Sequence, residues 1–244
     1  MARVIQEAHT FVNRQSEFIS HYHRGGEGED FINEINSTPA ARSFVVGHAL
    51  FGALEPKANR IWITQFRHPL PRTLSCYQWL KRNHEAKSDE PFVSLEEFVT
   101  KTSGIGHSQI SQLGVGNGPR RVRRRKQLTP ENLFDISVDV LHSNIGLIGI
   151  AEFFEESIFA FAAICGLPSV TTWKRDNRNK GRRSSTELSR EEISLIEDIY
   201  RYDYKLYQYA LKLFHEQNEK LGIESDALAA YRKACEPEYK DRIT

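Results

Sequence analysis

Cysteine is scarce in this chain. Three residues in 244, Cys76, Cys165 and Cys235, lie far apart with nothing of metal-ligand spacing around them. That excludes a disulfide-stapled fold and favours reduced thiols in a cytoplasmic setting. Long apolar runs are missing too: nothing approaches the ~20 residues needed to span a bilayer, and no signal-peptide pattern is present, so no membrane partner is expected. Neither sign of charge is in excess, with 33 basic against 32 acidic residues, so the net field does not announce nucleic acid or a membrane surface. Walker A, Gly-x-Gly-x-x-Gly and Gly-x-Ser-x-Gly patterns are absent, and no internal repeat is evident. His21 and His23 have the alternation of a ligand pair, but no third ligand follows at a sensible spacing, so no metal is expected.

What is present is a core of ordinary size, 39% hydrophobic residues, in a length that suits one α/β domain. Ala2 to about His21 has helical apolar spacing, and His23 to Asp30 reads as an acidic, Gly-rich loop. Ser43 to Val46 predicts a short strand ending in Gly47-His48, and Arg60 to Phe66 a second strand of β-branched and aromatic residues. His68-Pro69-Leu70-Pro71 breaks that strand, and Leu74, Tyr77 and Leu80 then share one helix face. Leu95 to Lys101 reads as helix, Ser103 to Lys126 as a long polar loop, Asn144 to Ile150 as a buried strand, and Phe154 to Cys165 as a helix closed by Gly166. Ser189 and Glu192 form a capping box for one long last helix through about Lys220. Strands alternating with helices predict a parallel sheet flanked by helices, over a domain of residues 1–220 with a tail at 221–244.

Arg67 falls at a strand's C-terminal end and Ser75 in the early turns of the next helix, the edge where open α/β sheets bind ligands. An arginine fork, a hydroxyl and helix N–H groups together suit a phosphate dianion. On spacing alone an ordinary surface arginine is the leading reading. Gly47-His48 ends its own strand, so His48 opens onto the same edge if the strands are parallel; it suits either a general base or a hydrogen-bonded structural histidine. Lys180-Gly181-Arg182-Arg183-Ser184 is a basic loop before the last helix, either solvated or closing on an anion. Arg120 to Lys126 is the densest charge; without interleaved aromatics or a nucleic-acid motif, an exposed basic loop is the leading reading, and no nucleic-acid partner is expected.

The segment Arg67-His68-Pro69 through Arg72, Ser75 and Tyr77 resembles the 3′-phosphate-binding segment of sulfotransferases that use 3′-phosphoadenosine 5′-phosphosulfate (PAPS), commonly Arg-Asp-Pro-x-x-Arg-x-x-Ser-x-Tyr, with His68 in place of the Asp. Gly47-His48 is similar to a Gly-His of the members acting on uronic acids, Asp203-x-x-Leu206-Tyr207-x-x-Ala210 to their terminal helix, and Ile148-Gly149-Ile150 with Glu152 to their late strand–helix unit. The resemblance implies a P-loop nucleotide hydrolase-like architecture and transfer of a sulfuryl group from PAPS to a hydroxyl, with an acidic carbohydrate as the expected acceptor and no metal. It implies His48 as base, Arg67 and Ser75 on the 3′-phosphate, and Lys180, Gly181, Arg182, Arg183 and Ser184 over the nucleotide. Arg120, Arg123 and Arg124 would meet the acidic acceptor. The apolar positions of that helix, Leu206, Tyr207, Ala210 and Phe214, are expected to be core and not a site. The family's Pro-Lys-x-Gly-Gly/Ala-Thr loop, which holds the 5′-phosphosulfate and follows its first, central strand, has no counterpart in these residues. Two expectations follow: a start further upstream, or a sulfotransferase-like remnant that binds an anionic glycan or nucleotide without transfer. A sheet lacking that strand would expose an apolar edge and invite homodimerisation.

Overall fold

The structure, a computed structural model, describes residues 19–23, 43–47, 61–101, 108–114, 128–165, 185–223, 226, 228 and 229. Two parallel strand pairs are present. β1 (Ile19–His23) pairs with β2 (Ser43–Gly47), in register from Ile19 opposite Ser43 to His23 opposite Gly47. The strand expected at Ser43 is therefore there, whereas the helix expected to run to His21 is replaced by strand over its last three residues. The rest of that helix lies outside the described residues.

The second pair organises most of the remaining described residues. β3 (Trp62–Phe66) runs parallel to β4 (Ile145–Ile150), from Trp62 opposite Ile145 to Phe66 opposite Ile150. Between them come α1 (Pro69–Glu85), α2 (Leu95–Lys101), α3 (Gln109–Gly114) and α4 (Pro130–Ser143); after β4 come α5 (Phe154–Cys165), α6 (Arg190–Ile199) and α7 (Arg201–Lys220). Side chains alternate across a strand, so β4 can bury both faces. Ile148 and Ile150 join Phe66 in a core with Ile110, Leu113, Leu133, Leu141, Leu206, Tyr207, Ala210 and Phe214. Leu147 turns the other way, onto Ala160 and Phe161 of α5, with Leu221 and Ile223 beside them. Helices thus flank this pair on both faces, the α/β character expected from the alternation of elements. Among the described residues no helix is long and apolar enough to cross a membrane.

Two departures have clear causes. α3 lies inside the stretch read as loop: its ends are polar, and its stability comes from buried contacts with distant residues. The single long last helix is two, because Tyr200 adopts φ −99° and ψ 21° between α6 and α7. That bend lets α6 place Ile196, with Tyr200, in a second core of Leu74, Leu95, Phe98 and Val99, while α7 faces the sheet. The capping box is formed as expected, Ser189 Oγ accepting from Glu192 N–H and the Glu192 carboxylate from Ser189 N–H. Ser189→Ala is expected to lower stability by about 1 kcal/mol, read from the urea midpoint, with hydrogen exchange rising first in α6.

The β4 edge turned away from β3 is closed by side chains. Ile148 N–H donates to Gln217 Oε1 at 2.9 Å and its carbonyl accepts from Gln217 Nε2 at 3.1 Å. Ile150 N–H donates to Ser157 Oγ at 2.9 Å. Residues two apart present their main chain to the same edge, so Gln217 and Ser157 together stand where a further strand would pair.

Candidate functional site at the strand ends

Because Phe66 and Ile150 are in register, Arg67-His68 and Ala151-Glu152 leave the sheet at the same end. Their main chain is held from several sides. Arg67 N–H donates to Gln109 Oε1 at 2.9 Å, and Arg67 C=O accepts from Gln109 Nε2 at 2.9 Å, so one buried amide takes both main-chain groups. His68 N–H donates to Glu152 Oε1 at 3.0 Å, and Tyr207 O–H donates to Glu152 Oε2 at 3.2 Å. The His68 ring meets Tyr204 and Tyr207 edge-on, with centroids 5.2 and 5.3 Å away. His68 Nδ1 and the Tyr204 hydroxyl are buried atoms without a hydrogen-bond partner among the described residues.

Behind Gln109 lies Asp203. Its Oδ1 accepts from Gln109 N–H at 2.6 Å and Ile110 N–H at 3.0 Å, capping α3 from a residue 94 positions away. Burial pushes the Asp203 carboxyl up to about 6; the bonds from Ile110 and Gln109 and the Arg72 charge pull the other way without matching it. The sign for stability follows directly. The folded value lies above the unfolded one of about 4, so the folded protein takes up the extra proton in between. This group's contribution is greatest below about pH 4 and falls by about 3 kcal/mol as pH rises through about 6. Urea titrations of wild type and Asp203→Asn should therefore diverge between about pH 4 and 7, the wild type losing stability that the Asn variant keeps. Parallel curves would show the carboxyl to be unshifted. Tyr207 is likewise pushed up to about 12, by burial and then by Glu152, so it remains a donor.

The helix that follows offers an anion less backbone than expected. His68 is the N-cap of α1 and makes no side-chain cap bond; Pro69 and Pro71 carry no N–H, and His68 N–H is committed to Glu152. Of the usual first-turn donors that leaves Leu70 N–H. The side chains near this helix start are Arg67 just past β3, and Arg72 and Ser75 on the first two turns of α1, all three half-buried. Tyr77, the last residue of the motif, donates its hydroxyl to Val93 C=O at 2.9 Å and packs against Phe92 and Phe98, so it joins α1 to α2. Burial pushes the Cys76 thiol up, with Arg72 offsetting part of the rise, which makes it a poor nucleophile.

Of the residues singled out by sequence, Arg67 lies one residue past β3 and Ser75 on the second turn of α1. His48, the loop Lys180 to Ser184, and Arg120, Arg123 and Arg124 lie outside the described residues. Sequence reading passed over Gln109 and noted Glu152 only within the late strand–helix unit, because their partners are 42 and 84 positions away and leave no local pattern. It also assigned Tyr207 to helix core and gave Asp203 no role beyond the terminal-helix pattern; both are buried, yet Asp203 reaches the strand end through Gln109, and Tyr207 through Glu152 and its contact with the His68 ring. A buried acidic residue on an apolar helix face was the available signal.

Fold and site together define an α/β protein with a polar, arginine-bearing cluster at the C-terminal end of a parallel strand pair. No family model matches this sequence, and the search of curated proteins found no match.

Proposed function

We propose that this chain is a PAPS-dependent sulfotransferase-type domain of P-loop-like architecture that transfers a sulfuryl group to a hydroxyl of an acidic carbohydrate. The observation that carries the reading is the position of Arg67. It lies one residue past a parallel strand, and the helix opening two residues later brings Arg72 and Ser75, in the order of the 3′-phosphate motif. Glu152, the carboxylate beside this end, already accepts two hydrogen bonds, which reduces its repulsion of an incoming phosphate. In this reading Arg67 and Ser75 hold the 3′-phosphate, and Lys180, Gly181, Arg182, Arg183 and Ser184 close over the nucleotide. His48 takes the proton of the acceptor hydroxyl as its oxygen attacks sulfur; the sulfur–oxygen bond to the 5′-phosphate breaks, and adenosine 3′,5′-bisphosphate leaves. Arg120, Arg123 and Arg124 face the acidic acceptor.

A second reading has its own support. A strand carrying a phosphosulfate loop needs a sheet edge to pair with, and Gln217 and Ser157 take the β4 edge at Ile148 and Ile150, which leaves it the outer edge of β3. That favours a protein that binds an anionic nucleotide or glycan and transfers nothing. Calorimetric titration with adenosine 3′,5′-bisphosphate, paired with a transfer assay using PAPS and a uronate-containing glycan, separates the two. Binding with transfer supports the enzyme, and binding alone the binding protein. No binding by a folded sample at millimolar nucleotide removes the nucleotide site from both.

A further inference from the structure

Arg67 is held by a chain of buried bonds that its motif does not contain. Gln109 is buried, and its side-chain amide takes both the N–H and the C=O of Arg67. Gln109 in turn is fixed through its own main chain, because Asp203 caps α3 at Gln109 and Ile110. α3 is locked from a third side by Ser137, whose Oγ lies 3.0 Å from Ile110 C=O and 2.6 Å from Leu133 C=O. At its far end, a Cβ added to Gly114 would come within 2.8 Å of Leu133 C=O, so α3 and α4 are in main-chain contact. A short helix could not hold such a position by its own propensity; here it is a rigid wedge carrying one amide to one peptide.

The neighbouring peptide is treated the same way. Glu152 takes His68 N–H and is held by Tyr207. Asp203 and Tyr207 are four apart on α7 and therefore on one face. Consecutive peptides at the strand end are thus anchored to a single helix face through two intermediaries of unlike kind, an amide and a carboxylate.

We propose that Gln109 is a positioning residue of the phosphate site, fixing the Arg67 peptide and so the arc the guanidinium can sweep, with Asp203 as its anchor. The inference rests on reading Arg67 as a 3′-phosphate ligand. A bidentate guanidinium–phosphate contact depends on angle as well as distance, so loosening the peptide beneath it weakens the 3′-phosphate contact and spares the rest of the nucleotide.

The test compares two ligands, adenosine 3′,5′-bisphosphate and adenosine 5′-monophosphate, by calorimetry on the full chain. Wild type should prefer the bisphosphate. Gln109→Met, of similar length but without polar atoms, should cut that preference about tenfold and leave monophosphate affinity unchanged. A merely structural role would weaken both ligands alike. Gln109→Glu keeps the acceptor for Arg67 N–H and loses the donor to Arg67 C=O; an intermediate loss is expected from it, and it serves if the Met variant does not fold. Amide exchange at Arg67 is the second readout and should rise in both variants. An unchanged preference in a folded variant that has lost Arg67 protection overturns the proposal. If wild type shows no preference, the phosphate reading fails, and an Arg67 amide that stays protected in the variants then rejects Gln109's hold on the peptide as well.

Discussion

Replacing Arg67 by alanine should cost at least about 100-fold in affinity for adenosine 3′,5′-bisphosphate. Two charge-assisted hydrogen bonds from one guanidinium contribute roughly 3–5 kcal/mol, and each 1.4 kcal/mol is a factor of ten. With Leu70 N–H as the donor remaining at the start of α1, little backbone is available to compensate. The fold should survive the change, because Gln109 bonds the main chain of residue 67 and not its side chain. Unchanged far-ultraviolet circular dichroism is the check that the variant remains folded. Arg67→Lys should recover about a tenth of the affinity, since an ammonium restores charge without the fork. Unchanged binding in Arg67→Ala would remove this strand end from any nucleotide site.

The largest effect on stability is expected at Phe214. Its ring is 1% exposed and packs with Leu206, Ala210, Ile148 and Ile150, with the Phe153 ring centroid 5.8 Å away. Phe214→Ala removes a large buried surface and leaves a cavity between α7 and the sheet that main-chain hydrogen bonds keep from collapsing. A loss of about 3–5 kcal/mol is expected, against a total of roughly 5–15 for a domain. Phe214→Leu, which refills most of the volume, should cost under about 2 kcal/mol. Urea midpoints of the two variants measure the contrast; equal midpoints would mean that the ring does not fill this core.

What could be read from the sequence was what is local. β3, α1, β4 and α5 follow from apolar runs, prolines and spacing, and the α6 capping box from two residues three apart. α4 was legible in principle from Thr129-Pro130 ahead of Leu133, Ser137 and Leu141, with Thr129 accepting from Asn132 N–H as an N-cap should. α3 was not, because its cap is Asp203, contributed from another helix. The break at Tyr200 escaped for a related reason: the chain there remains a good helix former, and the bend is set by which core each half must face. At the site, the ligand-type residues Arg67 and Ser75 were visible in a motif. The holds on this strand end were not, since Gln109 meets Arg67 and Glu152 meets His68 only after the strands have paired.

The closed flank of β4 bears on self-association. An unpaired strand is where identical chains add to one another, first as dimers and then as aggregates. At Ile148 and Ile150 the main-chain groups are already satisfied within the chain, by an amide and a hydroxyl too short to extend the ladder. Copies of this protein therefore gain no new hydrogen bonds by meeting there. A dimer, if one forms, must be built from side-chain surfaces, and concentrated solutions should be free of strand-to-strand growth along this flank.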